Sequence, residues 1–468
     1  MAENVVILKR AQALHEDLRN YAQLGETEKP LVVSAILLAL NENERKMEMF
    51  INSLTGDAID TDGQKIFNAV SVRMDKVKVP PRVKKEKILN QFNIIKDRTA
   101  LNEKHSRLGQ TPLRYYTEYL QKYVMDYAKG SSSEDVLGKF YGEFMSYSGG
   151  DGQSLGVVLT PKHITELFCD LVDIKPEDIL FDPCCGTGSF LIAGMCRMLE
   201  LAKDKAQKNS IRKNQVYGIE FREDMFSIAT TNMILRGDGK SNVEQNDFLK
   251  TSTAELKQKG FTVGFMNPPY SQAKTRATQH LAEINFIEHL LDSMSANSRV
   301  AVIVPQSTMV GKTKETRAVK KSILEKHTLK GVITLNKQTF YRIGTSPCIA
   351  IFTAGIPHQK EKLVKFINYE DDGYVVNKNI GLVRTERAQI QHQKLMDVWR
   401  NDRDAEIKFM VKVQIKVDDE WLHSFYCFND EIPTDADFER TMADYLTFEF
   451  NMISHNRGYL FGMEEKNE

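Results

Sequence analysis

The chain has 468 residues, 41% of them hydrophobic, enough for about three structural units of ordinary size around a substantial core. Lys plus Arg and Asp plus Glu balance at 63 each, so no global positive field draws the molecule onto phosphate; a nucleic-acid contact must come from a local patch or a partner. The longest apolar run, Leu31 to Leu40, is about half the roughly 20 residues of a membrane span, and the N-terminus lacks a secretory apolar stretch, so the chain reads as cytoplasmic with no membrane partner. Six cysteines without paired two-residue spacing read as reduced, mostly buried thiols. The ten histidines show no metal-ligand spacing, and no metal is expected.

In chain order, residues 1–147 form a helical N-terminal domain. Apolar residues recur at three and four from Leu31 to Leu54 and from Thr111 to Ala128. Between these segments, Pro80-Pro81 and five basic residues after Val77 read as a solvated loop in preference to a DNA-backbone contact. Ser/Gly-rich breaks at 129–135 and 148–156 flank the entry to the next unit.

Residues 148–370 carry short apolar strands that alternate with helical stretches, the pattern of an α/β fold with a mostly parallel, helix-covered sheet. Eight strands are expected, at DILFD, QVYGIE, VEQND, TVGFMN, RVAVIVPQ, KGVITL, CIAIFTA and LVKFINY. A helix starting near Arg222 presents Met225, Ile228, Ala229 and Met233 on one face and stops at Gly237. From 371 to 468 the alternation fades into a mainly helical extension, expected to dock a partner.

Chemistry concentrates at four strand ends. After DILFD, Gly186 and Gly188 let the backbone swing close to a ligand, and the helix that follows offers free amides and a positive dipole end. A third glycine is missing, which counts against a nicotinamide cofactor. Glu220 ends the next strand, where a carboxylate can accept both hydroxyls of a ribose. Asp247 ends another; it can bond an adenine amino group or cap a helix. In FMNPPY, Pro268 and Pro269 cannot continue a ladder, so the strand must end at Asn267. The Asn267 side-chain carbonyl and the Pro268 backbone carbonyl together suit an exocyclic amine, and Tyr270 can stack on the plane of a base.

These motifs, DPCCGTGSF and NPPY preceded by LTPKHITELFCDLV from Leu159 to Val172, resemble adenine-specific DNA methyltransferases. The order of segments is similar to the methylation subunit of type I restriction-modification systems: a helical N-terminal domain, a Thr-Pro segment, the Asp-Pro glycine motif, then Asn-Pro-Pro-Tyr. The resemblance runs from about residue 10 to 400 and is strongest from Gly156 to Pro305. It implies a class I, Rossmann-like methyltransferase fold and S-adenosylmethionine as cofactor. Thr160 and Pro161 would line the methionine end, while Asp182, Pro183, Gly186, Thr187, Gly188 and Phe190 would cradle the cofactor. Glu220 would bind its ribose, Asp247 and Phe248 its adenine, and Asn267, Pro268, Pro269 and Tyr270 the target adenine. Two departures, the paired Cys184-Cys185 and a lengthened link from Lys203 to Lys213, replace no polar group that the mechanism uses.

The expected reaction is methyl transfer to the N6 of an adenine flipped out of double-stranded DNA, with no essential general base. The implied partners are a DNA specificity subunit, a second copy of the chain and a motor-nuclease subunit. Protein-glutamine and RNA methyltransferases also use NPPY, and a non-catalytic DNA-binding scaffold is a further alternative. The Glu406-Ile407-Lys408 triplet lacks the upstream Pro-Asp of a nuclease. Only about 70 residues separate Tyr270 from Phe340, too few for a recognition domain, so the lone chain is expected not to choose its DNA sequence.

Overall fold

The structure, a computed structural model, describes residues 2–77, 82–126, 140, 144, 160–237, 242–340, 344–377, 381–428 and 433–454. Pro80-Pro81, both Ser/Gly-rich breaks and Leu159 lie outside the described residues.

The N-terminal part is built around α2 (Glu28–Glu42), whose residues Lys29 to Leu40 are all buried. That explains the ten-residue apolar run: a helix apolar on every face is a helix surrounded by others. Around it lie α1 (Ala2–Ala22), α3 (Asp62–Lys76) and α5 (Pro112–Leu120). Thr61 and Thr111 start α3 and α5 by accepting the N–H groups of Gln64 at 3.2 Å and Arg114 at 3.1 Å. The basic run read as a loop is corrected: Arg82–Gln91 forms α4, which packs on α9 (Glu223–Leu235). Lys84 is buried there and sits 5.7 Å from the Phe226 ring, while Lys85 pairs with Asp75 at 2.6 Å. The alkyl stems of these lysines cover apolar surface, so the charge density that suggested solvent belongs to an amphipathic helix. α2 also contacts α9, so the helical part and the sheet part share one apolar core.

The strands are β1 (Leu180–Asp182), β2 (Val216–Glu220), β3 (Asn242–Gln245), β4 (Val263–Met266), β5 (Arg299–Pro305), β6 (Thr328–Leu335), β7 (Pro347–Thr353) and β8 (Val364–Tyr369), then β9 (Tyr374–Asn377), β10 (Gly381–Arg384) and β11 (Met410–Val413). All eight expected strands form. Nine strands make one sheet in the order β11-β8-β6-β7-β5-β4-β1-β2-β3, and β9 and β10 make a separate hairpin. β1 to β5 run parallel, β7 runs against both β5 and β6, and β11 runs against β8. This is the mostly parallel class I methyltransferase sheet that the resemblance implies.

Side chains of β5 alternate between two apolar clusters: Ala301 and Ile303 join one, Val300, Val302 and Val304 the other. The helices α6 (Lys162–Val172), α7 (Ser189–Leu201) and α9 contribute to the first cluster, and α10 (Glu283–Ser293) and α11 (Lys314–Lys326) to the second. Burial on both faces is why these strands read as continuous apolar runs. The lengthened link forms its own helix, α8 (Lys205–Asn214), capped by Asp204, which accepts from the Gln207 amide at 2.8 Å.

The extension is mainly helical, with α12 (Arg387–Arg400) and α13 (Asp435–Ser454), but it also supplies β9, β10 and β11. Trp421 is fully buried, and its backbone N–H donates to the Met309 carbonyl at 3.1 Å, tying the extension to the turn after β5. No described helix is long and apolar enough to cross a membrane.

Candidate active site

The chain runs from β1 outward to β2 and β3, then returns to place β4 on the other side of β1. That reversal opens a crevice at the carboxyl ends of β1 and β4, the place where open α/β sheets bind ligands. In sheet order β3, β2, β1, β4, the four adjacent strand ends deliver Asp247, Glu220, Asp182 and Asn267.

Gly186 (φ 53°) and Gly188 (φ 86°) turn the chain from β1 into α7, conformations that disfavour a side chain. A Cβ at Gly186 would meet nothing within 4 Å, so open space lies beside this turn. Glu220 holds the turn from the next strand: its Oε2 accepts from Gly186 N–H at 2.9 Å and its Oε1 from Arg222 N–H at 2.8 Å. Burial raises the Glu220 carboxyl above its ordinary value. Asp182 is 1% exposed. Its Oδ1 accepts from Cys184 N–H at 3.1 Å, while its Oδ2 has no hydrogen-bond partner among the described residues. Burial, with the nearby charge of Glu220, pushes Asp182 up to about 8.

Asp247 stands at the N-cap of a single 3-10 turn, Phe248–Lys250, where its backbone carbonyl accepts from Lys250 N–H at 3.1 Å and its side chain makes no cap hydrogen bond. Its carboxylate meets the Lys250 ammonium at 3.0 Å on the open lip of the sheet. Phe248 is buried below that lip, edge-on to His289 at 4.6 Å. Phe190 is likewise a core residue, 4.4 Å from the Phe168 ring and 5.6 Å from Phe265, supporting the turn from beneath. Pro183 and Thr187 are buried in the turn itself, where the Thr187 carbonyl accepts from Asn232 Nδ2 at 3.1 Å.

β4 ends at Met266, and Asn267 begins the non-ladder segment that Pro268 and Pro269 enforce. Asn267 Nδ2 donates to Thr160 Oγ1 at 3.0 Å. Thr160 was expected in the cofactor segment, and Pro161 next to it is the N-cap of α6; the bond that joins this segment to the Asn-Pro-Pro turn spans 107 residues and left no local signal. Tyr270 fixes its ring by donating weakly to the Ile303 carbonyl at 3.4 Å and by an edge contact with Phe340 at 6.2 Å.

Sequence reasoning also missed His163. Its ring stacks on Tyr374 of β9 at 3.9 Å with planes 17° apart, and its Nε2 lies 3.9 Å from Asp372 Oδ2. Asp372 Oδ1 accepts from Asn336 Nδ2 at 2.8 Å and from Tyr374 N–H at 2.9 Å. These contacts latch the β9–β10 hairpin to the first turn of α6, beside Thr160. Burial pushes His163 down to about 4, so the stacked ring is neutral. A separate open groove of about 960 Å³ between α12 and residues 403–406 contains none of the strand-end groups.

The N-6 DNA Methylase family matches residues 132–422. A type II restriction enzyme and methyltransferase from Heyndrickxia coagulans, RM.BcgI, is 48% identical over 463 residues, which cover 98% of this chain and 72% of that protein. The type I restriction enzyme EcoEI methylase subunit of Escherichia coli is 23% identical over 75% of this chain and 70% of its own length. Among solved structures, the methyltransferase subunit of a type I restriction-modification system from Streptococcus thermophilus superposes with a TM-score of 0.61 at 16% identity, over 86% of this chain and 96% of that one. A chain from a type I restriction-modification assembly reaches a TM-score of 0.63 at 14% identity, covering 98% of both. The likeness of these structures is one of fold. The family match over more than half of the chain, with a relative of 48% identity along nearly all of it, shows that the chain belongs to the N-6 DNA methylase family and is an adenine-specific DNA methyltransferase of restriction-modification systems.

Proposed function

We propose that the chain transfers a methyl group from S-adenosylmethionine to the N6 of an adenine flipped out of double-stranded DNA, acting in a complex with a DNA specificity subunit. The observation that carries this reading is the row of Asp247, Glu220, Asp182 and Asn267 on four adjacent strand ends, with Thr160 bonded to the last of them. The cofactor supplies a methyl group made electrophilic by sulfonium. The residues fit it: the open space beside Gly186 admits a ligand, and the buried Asp182 Oδ2 has an unmet need for a positive or hydrogen-bonding partner. Thr160 and Pro161 hold the methionine end, Gly186 and Gly188 border it, Glu220 accepts from the ribose hydroxyls and Asp247 takes the adenine amine.

Asn267 Oδ1 and the Pro268 carbonyl each accept one N–H of the target amine, which releases its lone pair from the ring toward the methyl group. Acceptors aimed at a nitrogen that becomes tetrahedral and positive favour the transition state over the planar ground state. Tyr270 offers the ring against which the flipped base rests, and the proton left on the nitrogen departs to solvent afterward.

A specificity partner is required because net charge is zero and the segment from Ser271 to Leu281 is a short exposed loop with one 3-10 turn. α13 has no buried residue and exposes Phe438, Met442, Leu446 and Phe450, which suits docking to that subunit. The complex assembles in the cytoplasm. Mapping methylated adenines in cells that carry the gene with its neighbours tests the reading: one defined sequence modified at N6 supports it, and no modified adenine overturns it.

A further inference from the structure

The two ends of the Asn267 amide are chemical opposites, since Oδ1 accepts hydrogen bonds and Nδ2 donates them. Only one orientation serves the reaction, because the target amine brings N–H groups of its own. With Nδ2 outward, donor would face donor. Thr160 holds the useful orientation by accepting from Nδ2 at 3.0 Å.

A threonine hydroxyl has one proton and two lone pairs. It can therefore hold an amide in either sense: it accepts from Nδ2 if its proton is engaged elsewhere, or donates to Oδ1 if its proton is idle. The sense of the bond between Thr160 and the Asn267 amide thus depends on where the Thr160 proton goes. The backbone that carries this hydroxyl is not free to adapt, since Pro161 caps α6 and His163 in its first turn stacks on Tyr374 at 3.9 Å.

We propose that Thr160 is a positioning residue that couples cofactor binding to recognition of the target amine: by donating its one proton to the cofactor carboxylate, Thr160 can only accept from Asn267, whose Oδ1 is then held toward the adenine. The inference rests on the reading above that Thr160 lines the methionine end of the cofactor site. Its consequence is a cooperativity that passes through one hydroxyl. Because coupling between binding sites is reciprocal, DNA with an intact target amine must tighten cofactor binding by the same factor.

The test uses the chain with its specificity subunit and two duplexes, one with adenine at the mapped target and one with purine there, which lacks the amine. S-adenosylhomocysteine keeps the carboxylate but has no methyl to transfer; 5′-methylthioadenosine lacks the amino-acid end. Saturating S-adenosylhomocysteine should tighten the adenine duplex on the order of tenfold, the size of one hydrogen bond, more than the purine duplex. Methylthioadenosine should not. Thr160→Val should lose the tightening at saturating S-adenosylhomocysteine, and Thr160→Ser should keep it. Coupling that survives Thr160→Val, or that methylthioadenosine produces equally in the wild-type complex, overturns the proposal. A wild-type complex that binds no S-adenosylhomocysteine and forms no N6-methyladenine would instead remove the function beneath it.

Discussion

Asp178 and Asp182 lie four residues apart at opposite ends of the β1 segment, and both are buried, at 7% and 1% exposure. Asp178 is fully engaged: its Oδ1 accepts from Thr262 Oγ1 at 2.9 Å and from Arg299 Nη2, and its Oδ2 accepts from Lys175 N–H at 2.7 Å. Arg299 in turn donates to the Val172 and Asp173 carbonyls at 2.8 and 2.7 Å. Asp182, at the carboxyl end, receives one backbone N–H and keeps an oxygen in reserve. Burying a polar atom without a partner costs about 1–3 kcal/mol, so the orphaned oxygen at the carboxyl end of the strand, and not the satisfied carboxylate at the other, fits the proposed ligand site. The same residue type staples the sheet at its base and waits at its rim.

The largest expected effect lies at the rim. In the proposed reaction Asn267→Ala removes one acceptor for the target amine, a loss of roughly 2–4 kcal/mol in the transition state, or about a 30- to 1,000-fold fall in methylation rate. Cofactor affinity and thermal stability should stay near wild type in calorimetry; a rate close to normal would break the assignment. Glu220→Ala should weaken S-adenosylmethionine binding by about 1–3 kcal/mol, since in the proposed site the carboxylate accepts from the ribose, and it also holds the Gly186 amide. Unchanged affinity in a titration would move the ribose contact elsewhere. At the base, Asp178→Ala should lower unfolding free energy by about 1–3 kcal/mol because it strands Arg299 and Thr262, while cofactor affinity is kept. A folded Asp178→Ala protein that binds no cofactor would erase the contrast between the two ends.

The remaining effect is in pH. Asp182 has a folded-state value raised to about 8 above an ordinary carboxylate value near 4, so the folded chain holds a proton that the unfolded chain has released. Its favourable contribution is complete below the unfolded value and declines as pH rises through about 8. Asp182→Asn should flatten that decline in denaturant titrations of the cofactor-free protein. Equal slopes for parent and variant between pH 5 and about 8 would show that Asp182 does not hold the proton.

Of the first eight strands, all but β3 were legible as short apolar runs; β3 has Val243 as its one apolar residue. The direction of β7 was not, since a strand buried on both faces reads the same either way. β9 and β11 are four residues each and largely half-exposed, so no apolar run announces them. At the site, Asp182, Glu220, Asp247 and Asn267 were legible from their position after strands. The depth of Phe190 and Phe248, buried at 3% and 4% exposure, was not legible, because a motif gives position along the chain and not depth. The Thr160–Asn267 bond and the His163–Asp372 approach join residues 107 or more apart in sequence, which no local pattern encodes.

The most direct measurement is to incubate the chain and its specificity subunit with duplex DNA and S-adenosylmethionine carrying a labelled methyl group, then separate the digested nucleosides by mass. The account predicts label in N6-methyl-2′-deoxyadenosine alone, at one sequence, appearing about 30- to 1,000-fold more slowly when Asn267 is alanine and only a little when the specificity subunit is left out. Label in protein or RNA, or robust sequence-specific methylation by the chain without its partner, would contradict it.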